Sequence, residues 1–427
     1  KGEVKDSRIV HTVINSDRRF TYEEAQQIIE TKEGDFKEEI LTLDTIAKAL
    51  REKRFSAGAI NFDRYEVKFE IDEKGKPISV YFKESKDANK LVEEFMLLAN
   101  RTVAEKVGRV PKNKKAKVLP YRIHDLPDPE KLENLSQFIA RFGYKVRTSG
   151  TKTDISKSIN HLLDDIHGKK EENLIETVSI RAMQKARYST HNIGHYGLAF
   201  EYYTHFTSPI RRYPDLLVHR AIRGILRRRK YVPKILVEPN EADVSVQTRE
   251  IICKAKPDDK KKVAHIDLWE KLGLLCSAHE RRADEASYDV MAWLKCNYMQ
   301  KKLGQVFKGV ISGVSPFAIF VTLEDLYVEG AIHISGLGDD YFVFDDKSNE
   351  IYGEDSGLRY RLGDELTVKV ARCDLDARRI EFALVSKNRQ SRPKTEAKRK
   401  TVKSSAAPRK PAARKTKKAP SVAKKRS

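Results

Sequence analysis

Two adjacent arginines, Arg211 and Arg212, lie in the stretch 204–220, THFTSPIRRYPDLLVHR. An apolar, strand-like run stops at Pro209, and Pro214 then opens a helix whose first turn carries Asp215. A guanidinium presents a planar fork of donors that matches phosphate oxygens, and the free amides of a helix start also favour anions. The stretch therefore reads as a phosphate clamp. The same residues also allow a plainer reading, an Arg–Asp pair capping a surface helix. A Ser208/His205 nucleophile pair fails on spacing, because residues three apart in an extended run point to opposite faces and no third group orients the histidine. Tyr22 follows Thr21 at a helix start, where its ring can stack on a base or simply pack. His124 ends a short apolar strand, as a ligand, a base or a hydrogen-bonded structural histidine.

These residues need elements to position them. Residues 3–15 alternate and predict a strand, and Thr21 with Glu24 forms a capping box for the helix that follows. A second helix is predicted over 37–54 with Ile40, Leu43, Ile46, Ala47 and Leu50 on one face. A hairpin follows over 65–71 and 78–82. The helix 87–107 carries Leu91, Phe95, Leu98, Ala99 and Val103 as its apolar stripe and Glu93, Glu94 and Asn100 on a solvated face. A strand at 121–124 leads to Asp128-Pro129, a helix start. Helices over 154–167, ended by Gly168, and 172–187 precede the aromatic segment 194–206, which feeds the clamp. From Pro214 a helix buries Leu217, Val218, Ala221, Ile222 and Ile225. Residues 230–262 read as a linker, and 263–302 as a long helix with Leu272, Leu275, His279, Ala283, Ala286, Val290 and Trp293 on one side. Five strands then follow, at 305–314, 317–323, 330–334, 366–373 and 379–385. They fit a small closed barrel of the OB type, with Phe317, Phe320 and His333 where such a barrel displays rings to single-stranded nucleic acid.

The chain has 427 residues and 40 % apolar content, enough for two or three domains with real cores. No run of 18 uncharged apolar residues and no charged-then-apolar leader occurs, which predicts neither a membrane span nor a signal peptide, and a cytoplasmic setting. Cys253, Cys276, Cys296 and Cys373 form no CxxC pair and read as reduced thiols. The net charge is +21, of which +16 lies in 387–427, where 17 Lys and Arg face the single acid Glu396. Rich in Lys, Ala, Pro and Ser, that tail is predicted to be disordered, a polycation whose expected partner is nucleic acid.

Ile123-His-Asp125, Leu91-Val-Glu-Glu-Phe-Met-Leu-Leu-Ala-Asn100, Gly197-Leu-Ala199, His205-Phe-Thr-Ser-Pro-Ile-Arg-Arg-Tyr-Pro-Asp215 and Glu280-Arg-Arg-Ala-Asp-Glu-Ala286 with Asp289-Val-Met-Ala-Trp-Leu294 resemble the bacterial ribonuclease R/ribonuclease II family. Residues 303–386 are similar to the S1-type RNA-binding domain that follows that family's catalytic domain, and the basic tail resembles that of the ribonuclease R branch. The resemblance implies an α+β, RNB-type catalytic domain over 1–302, an all-β OB barrel of S1 type over 303–386, and a disordered tail over 387–427. It implies a processive, Mg²⁺-dependent 3′→5′ exoribonuclease releasing nucleoside 5′-monophosphates from RNA, structured RNA included. Arg211 would contact the scissile phosphate and Arg212 the nearby backbone. Tyr22 would hold the 3′-terminal base, with His205, Phe317, Phe320 and His333 as further RNA contacts. A monomer without membrane attachment, with the ribosome as a further partner, completes the expectation.

The family's metal-binding aspartate cluster has no counterpart in this sequence. Asp164-Asp165, Asp258-Asp259, Asp339-Asp340 and Asp345-Asp346 are paired acids in unrelated contexts, so no metal ligand is assigned. Arginines alone do not activate a water, so the chain by itself is expected to be nearly inactive. Starting at Lys1 without an initiator Met, it reads as the C-terminal part of a longer enzyme. The rival reading is a non-catalytic RNA-binding or ribosome-associated protein on a degenerate nuclease fold.

Overall fold

The structure, a computed structural model, describes residues 3–62, 66–111, 117–169, 171–229, 231–233, 266–345 and 350–385. The tail 387–427 and nearly all of the 230–262 linker lie outside the described residues, as does Asp258-Asp259.

Helix α1 (Tyr22–Thr31) starts as the capping box requires: the Thr21 side chain accepts from Glu24 N at 3.1 Å and the Glu24 carboxylate accepts from Thr21 N at 2.7 Å. It packs with α2 (Lys37–Ser56) and α3 (Asp87–Gly108) around Ile28, Ile29, Ile40 and Ala88. Between α2 and α3 runs the hairpin β1 (Glu66–Ile71) and β2 (Pro77–Lys83). Strand β3 (Tyr121–Ile123) precedes α4 (Pro129–Ala140), which Asp128 caps through Glu130 N at 3.0 Å. Helices α5 (Lys152–Ile166) and α6 (Glu172–Ala182) pack with α4 around Leu135, Ile139, Ile159, Leu162 and Ile175. Strand β4 (Arg187–Ser189) pairs antiparallel with β3. Helices α7 (Tyr213–Leu226) and α8 (Ile266–Gln300) close a third core with Val103, Val107, Ile123, Tyr188, Leu217, Val218, Trp269 and Leu272.

Five strands then close a barrel in the order β11-β12-β7-β6-β5: β5 (Val306–Ser315), β6 (Ala318–Leu323), β7 (Glu329–His333), β11 (Glu365–Asp374) and β12 (Arg379–Leu384). Its inward set, Ile311, Ile319, Val321, Leu323, Ile332, Val368 and Val370, is almost wholly buried. Period-2 alternation thus places the predicted strands within a residue or two. The barrel also carries a three-stranded sheet that the sequence reading left out: β8 (Phe342–Asp345), β9 (Glu350–Gly353) and β10 (Arg359–Arg361). Its strands are three and four residues long, too short for alternation to register.

Several expectations are corrected. Residues 3–15 form no strand and leave Val13 and Ile14 exposed; alternation becomes a strand only where a ladder partner exists, and none is among the described residues. Residues 204–206, read as the end of a strand-like run, are irregular. On α2, Leu43 and Ile46 are exposed while Asp44 and Arg54 are buried. The supposedly solvated face of α3 is in part its core face, since Glu94 is 3 % and Asn100 2 % exposed. Glu94 pairs with the equally buried Arg54 of α2. Helix α6 ends at Ala182 and not at 187, because Tyr188, 1 % exposed, is drawn into the ladder with β3 and into the core. On α8, Ala283, Ala286 and Val290 are exposed. That helix is buried at its ends, against the helical core through Trp269 and Leu272 and against the barrel through Cys296 and Met299.

Candidate functional site

The clamp is built from its anchor outward. Asp215, in the first turn of α7, is wholly buried. Its Oδ1 accepts from Ser208 N at 2.8 Å and from Arg212 Nη2 at 2.7 Å. Arg211 N and Arg212 N both donate to Ser208 O, at 3.3 and 3.0 Å, which folds 208–212 into a tight turn. The plainer reading of the motif is thus half right: Arg212 is the Asp215 partner. Arg211 is exposed, and no carboxylate among the described residues pairs with it. Arg212 Nε and Thr207 Oγ1 are buried with no hydrogen-bond partner among the described residues. Both are donors a phosphate oxygen accepts from.

The turn is held from behind by residues that the sequence reading did not single out. Asn100 of α3 accepts on Oδ1 from Phe206 N at 2.9 Å and Thr207 N at 3.2 Å, and its Nδ2 donates to Tyr203 Oη at 3.2 Å. Thr204 Oγ1 donates to Pro120 O at 2.6 Å, and Arg122 N to Tyr203 O at 2.9 Å. Phe206 stacks on His219 of α7 with centroids 4.1 Å apart, and His219 Nε2 donates to Phe206 O at 2.9 Å. Arg122 of β3 lies over the Tyr188 ring, 4.7 Å from its centroid, and pairs with Glu280 of α8 at 2.5 Å. A usable signal existed for Asn100: residues 97, 100, 104 and 107 recur at helical spacing and all are buried, so Asn100 is a polar residue in an apolar stripe.

His205 sits in this network, with its Nδ1 2.6 Å from Tyr188 Oη. Burial, and then the charges of Arg212, Arg122, His195 and Arg211, push its pKa down to about 2. The ring is neutral at any physiological pH. His195 falls to about 3, through burial, His124 and Arg122. His124 is structural: its Nε2 donates to Gln184 O at 2.7 Å and its Nδ1 accepts from Gly197 N at 2.9 Å. Burial lowers its pKa as well.

The other candidates lie elsewhere. Tyr22 is half-exposed at the start of α1, and no hydrogen bond or ring pair joins it to the clamp among the described residues. On the barrel, Phe320 pairs with Ala331 and Ala318 with His333, so Phe320 and His333 share the outer face. Phe320 lies across Gly313 of β5, where a Cβ would stand 3.2 Å from its ring. Phe317 is 61 % exposed at the turn into β6, its carbonyl accepting from Ile334 N at 2.9 Å. Arg181, just before the end of α6, donates to Ser312 O at 3.2 Å, which ties the helical part to the strand under these rings.

A Mg²⁺ ion does not fit the residues around the clamp. Octahedral Mg²⁺ calls for several oxygen ligands, whereas the one free carboxylate oxygen in the clamp is Asp215 Oδ2, buried without a partner among the described residues, on a group whose Oδ1 already accepts from an amide and from the Arg212 guanidinium. No group of three or more His, Cys, Asp or Glu among the described residues converges on a metal position.

An RNB domain profile matches residues 1–228 and an S1 RNA binding domain profile residues 300–384. The chain belongs to the RNB-domain family, with an S1 RNA-binding barrel following the RNB domain. Among its relatives, ribonuclease R of Aquifex aeolicus is 36 % identical over 392 residues, 90 % of this chain and 50 % of that protein. Ribonuclease R of Escherichia coli is 35 % identical over 399 residues, 92 % of this chain and 46 % of that protein. The chain thus spans about half the length of these relatives. The fold is also that of Mycoplasma genitalium RNase R, apo (TM-score 0.71, 23 % identity) and in complex with ribose methylated single-stranded RNA (TM-score 0.70, 24 % identity); each likeness covers 86 % of this chain and 53 % of the other. No helix among the described residues is long and apolar enough to cross a membrane.

Proposed function

We propose that this chain is the phosphate-clamp and RNA-binding part of a cytoplasmic 3′→5′ exoribonuclease of ribonuclease R type, which hydrolyses RNA, structured RNA included, processively to nucleoside 5′-monophosphates with Mg²⁺. The observation that carries this reading is the division of labour in the clamp. Asp215 fixes Arg212, leaving its Nε unpartnered, while Arg211 faces solvent without a counter-ion among the described residues. A guanidinium fixed in a partly desolvated turn, with a second, uncompensated one beside it, suits charge building up on a phosphodiester. In this reading Arg211 takes the scissile phosphate and Arg212 its neighbour, Tyr22 takes the terminal base, and His205 completes the clamp. Phe317, Phe320 and His333 hold the incoming strand by stacking, which is tolerant of sequence. The protein acts as a monomer, with the ribosome as a further partner. The tail adds non-specific attraction, so deleting 387–427 flattens the salt dependence of RNA binding; an unchanged slope removes that role.

The test is release of mononucleotides from a 5′-labelled RNA with a 3′ single-stranded tail in Mg²⁺, run on this chain and on the product of its complete reading frame. Mononucleotides that vanish with Arg211→Ala support the nuclease. Tight RNA binding by both proteins with no release by either gives the site to the rival reading, a non-catalytic RNA-binding protein on this fold.

A further inference from the structure

His205 has two ring nitrogens, and the structure constrains both. Tyr188 is 1 % exposed, and its hydroxyl has one hydrogen-bond partner among the described residues, His205 Nδ1 at 2.6 Å. If Nδ1 carried the proton and donated, the phenol hydrogen would be left buried without an acceptor, which costs the desolvation of that group. The arrangement that satisfies both groups has Tyr188 donating and Nδ1 accepting. A neutral ring that accepts on Nδ1 carries its hydrogen on Nε2. No described residue takes that Nε2–H, while the charges of Arg212, Arg122 and Arg211 all act on the ring.

We propose that Tyr188 locks His205 as the Nε2–H tautomer and that this N–H is a neutral donor to a non-bridging phosphate oxygen of RNA beside the clamp arginines. The inference rests on the RNA-clamp reading above and gives His205 its role within it. It also excludes another role: Nε2–H has no lone pair and the Nδ1 lone pair is taken by the phenol, so His205 cannot accept a proton as a general base. The physical gain is that a neutral donor adds a hydrogen bond without adding a fourth cation to three arginines. Tyr188 is a positioning residue, itself held by Ser277 Oγ, which accepts from Tyr188 N at 2.9 Å, and by Arg122 over its ring.

The test uses the whole chain with ¹⁵N-labelled histidine. Long-range ¹H–¹⁵N correlations read the tautomer, and His205 is assigned by the signals missing from His205→Gln. The expected result is a protonated Nε2 and a bare Nδ1 in the free protein, lost in Tyr188→Phe, with Nε2–H shifting when a short single-stranded oligoribonucleotide is added. In fluorescence anisotropy with the same RNA, His205→Ala weakens binding about fivefold. His205→Gln, whose amide reaches as far with an N–H, recovers most of that loss, and Tyr188→Phe adds little to His205→Ala. An Nδ1–H tautomer in the free wild-type chain overturns the proposal without any variant being needed. So does undiminished binding by His205→Ala. In both cases the wild-type chain still binds RNA and the nuclease reading stands. A wild-type chain that binds no RNA overturns that reading and the proposal with it.

Discussion

The clamp and the barrel face are two ways of presenting groups to one polymer. In the clamp, 204–212 is irregular backbone, and its shape depends on side chains from distant parts of the chain, Asn100 of α3, Arg122 of β3 and Tyr188 of β4, and on the buried Asp215 in the first turn of α7. On the barrel, strand pairing alone sets the placement, with Phe320 and His333 facing outward because Ile319, Val321 and Ile332 face inward. Charge has to be held at a fixed point to stabilise charge, so the clamp carries the buried polar network. Stacking tolerates small shifts of a ring, so the barrel face needs only a sheet.

The widest separation of the two comes from truncation. Asp215→Ala leaves Arg212 facing an emptied buried site and is expected to cost about 3–5 kcal/mol in urea unfolding, whereas Phe317→Ala stays within about 0.5 kcal/mol. Similar values for the two would erase the distinction. Acid is the next lever. His195 and His205 have folded pKa values of about 3 and about 2, below the ordinary histidine value, so the unfolded chain binds the extra protons. Their contribution is complete above pH 6.5 and is lost as pH falls toward about 3, at about 1.4 kcal/mol per pH unit for each. Urea midpoints at pH 7 and pH 5 measure it, and a flat profile shows that the two rings are not held neutral. Asn100→Ala strips the acceptor from two backbone amides and is expected to cost about 2–3 kcal/mol. Tyr203→Phe keeps that acceptor and loses only the bond from Asn100 Nδ2, so it should cost less; the reverse order places the weight of the network on Tyr203. The smallest effect belongs to the barrel: Phe317→Ala should weaken RNA binding by about 1–2 kcal/mol with the thermal midpoint unchanged. No loss of affinity means that the strand does not cross that turn.

Local chemistry made some features legible in advance. Thr21-x-x-Glu24 and Asp128-Pro129 give helix starts whose hydrogen bonds close within four residues. Long alternating strands gave the barrel, since one face of each must meet a core. Polar residues on α3 were misjudged in the same direction: Glu94 and Asn100 read as solvated and are buried. Their partners lie far along the chain, Glu94 forty residues from Arg54 and Asn100 more than a hundred from Phe206, so no local pattern announces them.

The sequence by itself therefore determined many of the parts: most of the helices and the five barrel strands, that a barrel closes after α8, and that two arginines meet a helix start beside an aspartate. Tertiary structure decided what those parts hold. It assigned Asp215 to Arg212 and left Arg211 without a counter-ion among the described residues. It set Asn100 behind the turn and turned His205 toward Tyr188. The contacts of Asn100 and His205 join residues remote in sequence, and burial makes them obligatory, because a polar group taken out of water must find its partner wherever the fold brings one.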